Sequence, residues 1–591
     1  MLIRLHQVVV RIIGYFQRKL NPKQFLIVAS ILVGISSGLA AVLVKTLAHF
    51  INLYIQEYSN SYQDFFLFTL FPLVGITLTI LYLRIFVGKD FFKGSADIVY
   101  SIAKKSAIIP KSHMYAHVIS SGMTVGFGGS TGLESPLVNA GSAIGSNFGK
   151  TYHLSYKDRT MLLACGAAAA IAGAFNSPIA GVLFAIEVLL TDATVSAFIP
   201  LMISAASGAL FSKIILQEGV LLSFTLVRPF DYNNVPYYIA LGILAGLVSL
   251  YYTRTFVYVE HKIAQIPNVL TRVATAGAGL AFLLILFPPF FGEGYEGIKS
   301  LANLDPEALI RNSILNVLIT NKWQILIFVL FLLLVKVFAT ALTIGSGGNG
   351  GNFAPSLCVG AYLGYVFSSF INITGWGDIP ESNFTLVAMA GILSGVFYAP
   401  LTAIFLIAEI TGGYTLMIPL MIVSALSTVI MKYFEPVSME NKKLAERMNL
   451  DLENRDKYLL SKLELEPLIE TDFVRVAQDG TLREIVGAIK KSKRNMFPVL
   501  NSKDELVGII LLDSIKEMIF DQELYDKMKV KDVMTTSHAT ISPNESLDSV
   551  LKKFDDTGQW NIPVIESQQY LGFVSKSSIL SKYREELVRS T

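Results

Sequence analysis

Residues 128–145, GGSTGLESPLVNAGSAIG, reappear in altered form at 347–364 as GGNGGNFAPSLCVGAYLG. In one constant register Gly132 meets Gly351, Pro136 meets Pro355, Gly141 meets Gly360 and Gly145 meets Gly364. A second matched pair follows: AFNSPIAGVLFAIE (174–187) against VFYAPLTAIFLIAE (396–409), which sets Phe175, Pro178 and Glu187 against Phe397, Pro400 and Glu409. Two halves with corresponding Gly- and Pro-broken apolar segments are what an inverted-repeat membrane fold leaves in a sequence.

Composition agrees with that frame. The 591 residues are 52% hydrophobic and 16% charged, with a mean hydropathy of +0.53, far from the soluble norm. Apolar runs recur at about 25–54, 65–87, 160–190, 195–216, 236–258, 271–291, 324–345, 356–374, 384–410 and 415–432. Several approach the ~20 residues that a spanning helix needs. Others are short or Gly-interrupted, which a bilayer tolerates only where the backbone is covered by protein or lines a cavity. A polytopic integral membrane protein with a transporter or channel core is expected. Arg4, Arg11, Arg18, Lys19 and Lys23 precede the first long run without a secretory-type cleavage site, so the N-terminus is expected on the cytoplasmic side. The formal charge of +3 gives no reason to expect nucleic acid as a partner. Cys165 and Cys358 fall inside apolar runs far apart in sequence and read as small packing residues. The seven histidines show no metal-ligand spacing and no nucleophile elbow is present, so neither a metal site nor an enzyme is expected.

The repeated loops carry the chemistry. A Gly-rich loop that runs into a helix leaves free backbone N–H groups along the axis, with about half a positive charge at that end. Such an end binds anions. Two of them, from Gly132 and from Gly351 onward, could converge on one small anion without a fixed cation that would trap it. Glu134 sits at the first of these starts. An intramembrane carboxylate costs roughly 2.5 kcal/mol or more and is usually functional or paired. Being an anion itself, it can occupy the site when ionised and withdraw when protonated, which makes Glu134 a tethered, protonatable plug.

After Phe434 charged residues return to soluble density, and Pro436–Leu465 reads as a charged connector. The tail then repeats too: RNMFPVLNSKDELVGIILLDSI (494–515) matches QWNIPVIESQQYLGFVSKSSIL (559–580), with Pro498 against Pro563 and Gly508 against Gly572. Each unit reads as strand, turn, strand and helix start after an amphipathic stretch. The expected organisation is an N-terminal segment (1–24), a membrane domain (25–434), a linker (435–467) and an α+β tail (468–591).

GLESP, GNFAP, the IAGVLFAIE segment and the paired tail units together resemble the CLC family of chloride channels and chloride/proton antiporters with a tandem CBS tail, over about 25–585. The resemblance implies an all-α, inverted-repeat membrane fold with broken helices, a homodimer in the bilayer with one anion pathway per subunit, chloride as the bound substrate and no cofactor. The family's gating glutamate falls on Glu134, with Ser135 in place of a motif glycine. Its second anion motif falls on Gly351, Asn352, Phe353, Ala354 and Pro355, with the Phe353 and Ala354 amides as anion ligands; Gly132 and Leu133 belong to the first loop.

Three departures limit what carries over. The family's first anion motif survives only as Gly94 and Ser95 in KGSADIVYSI, so Ser95 reads either as an anion ligand or as a plain helix cap. The inner proton glutamate of the antiporters aligns with Val188, next to Glu187, and valine carries no proton; Glu187 itself reads as a structural carboxylate bonded to backbone amides. The inner tyrosine of the family aligns near Glu440 in FEPVSMENKKLAERM. Either Tyr433 or Met439 takes its part, or Glu440 stands at the inner mouth as a gate or proton carrier, or Glu440 is a solvated start of the linker. In the tail, Leu511, Ser514 and Ser578 replace residues of the family's adenine-nucleotide pattern, which weakens the expectation of nucleotide binding there. The expected function is gated chloride transport, leaning to chloride/proton exchange, with a passive chloride channel as the alternative and a CBS-regulated sensor or cation transporter as a remoter one.

Overall fold

A computed structural model describes residues 13–62, 65–88, 91, 94–190, 195–216, 224, 228–311, 313–448, 465–536 and 539–590. Arg4, Arg11 and most of the expected connector lie outside them. The chain divides into two units, Met1–Leu444 and Ala445–Thr591.

The first unit is helical. In chain order it holds α1 (Pro22–Tyr62), α2 (Phe65–Phe86), α3 (Ser95–Lys104), α4 (His113–Gly126), α5 (Glu134–Thr151), α6 (Tyr156–Phe175), α7 (Pro178–Phe184), α8 (Val195–Leu216), α9 (Val235–Ala264), α10 (Val269–Leu286), α11 (Tyr295–Ala302), α12 (Lys322–Ser346), α13 (Phe353–Thr374), α14 (Glu381–Phe397), α15 (Pro400–Ile410), α16 (Met417–Phe434) and the first part of α17 (Met439–Met448), whose last residues fall in the second unit. Among the described residues nine helical stretches are long and apolar enough to cross a bilayer. The expected runs 160–190 and 384–410 each prove to be two helices. They break at matched places: Asn176 at φ 52° and Tyr398 at φ 59° terminate α6 and α14 in the left-handed region, and Pro178 and Pro400 open α7 and α15, where a missing N–H is harmless. Helices α3, α4, α5 and α11 were not expected as apolar runs, because serine, glycine, asparagine and histidine dilute them.

The glycines shared by the two repeats pack helices together. A Cβ on Gly141 would lie 2.2 Å from the Gly166 carbonyl oxygen, and one on Gly145 would lie 1.9 Å from that of Leu162, so α5 rests directly on α6. In the second half a Cβ on Gly360 would lie 2.5 Å from Met389 Cα and one on Gly364 2.3 Å from the Phe384 oxygen, so α13 rests in the same way on α14. Small residues at such crossings let backbones approach and gain dispersion where lipid provides no hydrophobic drive. The membrane unit runs ten residues beyond the expected boundary at 434, since Glu435 pairs with Arg254 (2.8 Å) and Lys443 with Glu260 (2.7 Å), tying this stretch to α9.

The second unit repeats a strand–strand–helix element. Strands β1 (Val476–Ala477), β2 (Met496–Leu500) and β3 (Leu506–Leu511) form one sheet, and β4 (Asn561–Glu566) and β5 (Gln569–Ser575) another. Gly508 lies opposite Val499 and Gly572 opposite Val564, each beside a bulge at the same point of its hairpin. The two prolines and glycines matched in sequence therefore occupy equivalent places. Phe497, Val499 and Ile510 fill one core, Ile562, Val564 and Val574 the other. The Ser575 hydroxyl donates to Glu470 at 2.8 Å.

Candidate ion pathway

The two repeated loops meet at their glycines. Gly132 N–H donates to the Gly351 carbonyl and Gly351 N–H donates to that of Gly132, both at 3.0 Å, in an antiparallel bridge. Thr131 Oγ1 adds a third bond to the Gly351 oxygen at 3.0 Å. The Gly132 and Gly351 amides are engaged with each other and frame the site, leaving the residues that follow each of them to open helices α5 and α13. Asn352 likewise spends its side chain locally, since Tyr252 Oη donates to Asn352 Oδ1 at 3.0 Å.

Glu134 is the first residue of α5, and only 2% of it is exposed. Its carboxylate lies against the opposing helix start: a Cβ on Gly132 would fall 2.2 Å from Glu134 Oε2 and 3.1 Å from the Ala354 amide nitrogen. The absence of a side chain at Gly132 is what admits the carboxylate. Tyr295 Oη donates to Glu134 Oε1, and among the described residues Oε2 has no hydrogen-bond partner. Phe353 and Ala354, first residues of α13, are buried beside it, as is Leu133.

A cavity of about 100 Å³ starts at this point. Glu134, Gly351, Asn352 and Phe353 line it together with Gly94, Ser95, Glu260, Glu440 and Lys443, with Phe184, Phe256 and Phe397 among its apolar walls. Glu440 belongs to this wall and is not a solvated linker residue. Ser95 Oγ donates to Glu440 Oε2 at 3.0 Å and the Ala96 amide donates to the same oxygen at 3.2 Å, so the carboxylate covers the N-terminal end of α3. Ser95 makes no side-chain cap to its own helix; its hydroxyl is turned to Glu440. Neither alternative to Glu440 lines the cavity: Tyr433 is 82% exposed and Met439 is packed in the core. Lys443, the basic residue among the described lining side chains, is held by both oxygens of Glu260 at 3.0 and 2.7 Å, and lies 5.2 Å over the Phe256 ring.

Glu187 and Glu409 form a reciprocal pair. Glu187, in a widened π turn that extends α7, accepts from the Leu401 and Thr402 amides at 3.0 and 2.8 Å and from the Thr402 hydroxyl at 2.7 Å. Glu409 accepts from the Ile179 and Ala180 amides at 3.0 Å each. Each repeat thus supplies the carboxylate that caps the other repeat's short helix, and Val188 beside Glu187 packs against the core.

Sequence reasoning passed over several residues here. Tyr295, Glu293 and Lys45 gather near Glu134, and Lys336 lies beside Ser130 and Gly294. Lys336 and Lys45 interrupt apolar runs, and a lone charge in such a run is itself a signal. Tyr295 and Glu293 lie in FGEGYEG, a stretch with no repeat partner to draw attention to it.

The family model described as voltage-gated chloride channel matches residues 75–432, and CBS-domain models match 465–521 and 530–585. The chain belongs to this CLC family. A ClcB-like chloride channel protein of Ralstonia nicotianae is 29% identical over 341 residues, 56% of this chain and 74% of that protein. The H(+)/Cl(-) exchange transporter ClcA of Vibrio cholerae is 27% identical over 313 residues, 51% of this chain; the chain spans 62% of that transporter's length. A crystal structure of a slow cyanobacterial Cl-/H+ antiporter aligns with a TM-score of 0.62 at 20% identity, covering 74% of this chain and all of that one, and shares the fold.

Proposed function

We propose that this CLC-family chain carries chloride across a membrane through the cavity between Glu134 and Glu440, with the Glu134 carboxylate as a protonatable plug. The observation that supports this most directly is the seat of Glu134, its carboxylate lodged between the starts of α5 and α13 in space that Gly132 leaves open. Unpaired amides at helix starts favour an anion. Chloride and an ionised Glu134 compete for that place, and a protonated Glu134 gives it up. The ion ligands in this reading are the amides around Leu133, Glu134, Phe353 and Ala354.

Glu440 is the counterpart at the cavity's other end, a second tethered carboxylate on the Ser95 hydroxyl and the Ala96 amide. An anion entering there has to displace it, and a carboxyl group can take up protons that Val188 cannot. Chloride/proton exchange follows as the favoured mode. Passive conduction is the second reading, and Val188 favours it, an aliphatic residue where exchangers of the family carry glutamate. The protein works as a homodimer in the bilayer, with both termini on the cytoplasmic side and the CBS pair as a regulatory tail.

The deciding experiment places the purified chain in liposomes under crossed chloride and pH gradients. An exchanger's reversal potential moves with the pH gradient, a channel's follows chloride alone, and absence of chloride-dependent current overturns both.

A further inference from the structure

The proposed plug exchanges protons, yet Glu134 is almost fully enclosed, and the residues that surround it away from the cavity carry charge. The loop before α11 brings Glu293 and Tyr295 to it. Tyr295 Oη donates to Glu134 Oε1. Glu293 is half-buried, and the Leu133 amide, next to Glu134 in the chain, faces its carboxylate. Glu293 Oε1 has no hydrogen-bond partner among the described residues. Its backbone is fixed from the far side, where Cys358 Sγ lies 3.4 Å from the Glu293 carbonyl oxygen.

Two lysines complete the group. Lys336 of α12, fully buried, donates to Ser130 Oγ at 2.9 Å and stands 5.5 Å over the Phe290 ring. A Cβ on Gly294, the residue after Glu293, would lie 3.3 Å from Lys336 Nζ. Lys45 of α1 is half-buried and donates to the Ala174 carbonyl at the end of α6. Glu134 and Lys45 act electrostatically on Glu293, as does Lys336, and Lys45 also acts on Glu134. Tyr295 and Cys358 are the other titratable groups in reach. None of Lys45, Glu293, Tyr295 and Lys336 is among the described residues that line the cavity toward Glu440. Glu134 is the member common to both.

Structural ion pairs fit this group poorly. A pure counter-ion role for the lysines would have each held directly by a carboxylate, whereas their described bonds run to two backbone carbonyls and a hydroxyl. A buried carboxylate oxygen without a donor is costly unless the group is protonated for part of its working life.

We propose that Glu293 is the proton relay between Glu134 and the solution on the side away from Glu440. The inference rests on the exchange reading above. In the step, the Glu293 carboxyl releases its proton to the Glu134 carboxylate. That leaves Glu293 ionised between Lys45 and Lys336 and Glu134 neutral and free to leave its seat; Glu293 then regains a proton from the aqueous side. The lysines hold the charge of the group balanced through the transfer.

The test measures proton and chloride flux separately, by a pH electrode and a chloride electrode, with the full chain in liposomes. Glu293→Gln is expected to slow proton flux on the order of a hundredfold or more, the usual loss when an acid–base group is removed, with chloride flux reduced much less. Proton flux that keeps pace with chloride flux in Glu293→Gln overturns the relay and leaves the exchange reading standing. A parent chain that moves chloride without protons overturns the exchange reading and the relay together. If the Gln variant does not assemble, Glu293→Asp and Glu293→His replace it. The pH profile of proton flux then has to differ between the two, as their ordinary pKa values of about 3.9 and 6.5 do; identical profiles overturn the relay.

Discussion

Ser95 Oγ lies 3.0 Å from Glu440, to which it donates across 345 residues of sequence. The start of α3 is thereby filled by an anion of the chain's own, as the starts of α5 and α13 are by Glu134. One cavity joins the two carboxylates. The cargo proposed for this cavity has the same charge as both side chains, so movement of the ion and movement of the carboxylates are coupled by competition for the same donors.

Glu134→Gln mimics the protonated plug. Chloride flux should persist or rise and lose its dependence on pH, and proton flux should vanish. Flux assays in liposomes across a series of pH values check this. A Gln variant whose chloride flux still climbs steeply with acid contradicts the plug.

Gly132→Ala tests the seat instead of the charge. The new methyl would lie 2.2 Å from Glu134 Oε2, so the carboxylate has to move out. Weakened pH dependence of chloride flux, in the same sense as for Glu134→Gln, is the expected result. An unaltered pH profile would mean that Glu134 does not work from this position.

Glu440→Gln retains the shape of the second carboxylate and removes its charge. Proton flux should fall more than chloride flux, and chloride should enter more readily from that end. Ser95→Ala, which deletes one donor to Glu440, should shift chloride affinity by on the order of tenfold, the worth of one hydrogen bond to a charged group. Equal slowing of both fluxes in Glu440→Gln would return Glu440 to a purely structural part.

Glu187→Ala should lower stability and leave transport stoichiometry alone. It strips partners from the Leu401 and Thr402 amides and the Thr402 hydroxyl, and each lost bond to a charged group is worth roughly 1.5–3 kcal/mol. Thermal unfolding in detergent, compared with the proton-to-chloride flux ratio, separates the outcomes. A changed ratio at unchanged stability would assign Glu187 a place in proton movement.

Much of this protein could be read before its structure. Hydropathy established a polytopic membrane unit and the repeat marked its Gly- and Pro-broken segments, although the breaks at Asn176–Pro178 and Tyr398–Pro400 divide runs that hydropathy reads as continuous. Glu134 stood out as a charge where the surrounding composition makes charge expensive. Other features were settled only in three dimensions. The repeated glycines look alike in sequence, yet Gly132 and Gly351 bond each other while Gly141, Gly145, Gly360 and Gly364 seat one helix on the next. Glu187 read as a structural carboxylate on backbone amides, but only the folded chain showed that those amides open the opposite repeat's short helix and that Glu409 returns the bond. Glu440 read equally well as linker until it met Ser95, and Glu293 carried no motif at all. A helix start exposes donors whatever its sequence, and which distant carboxylate reaches them depends on how the two halves of the chain pack.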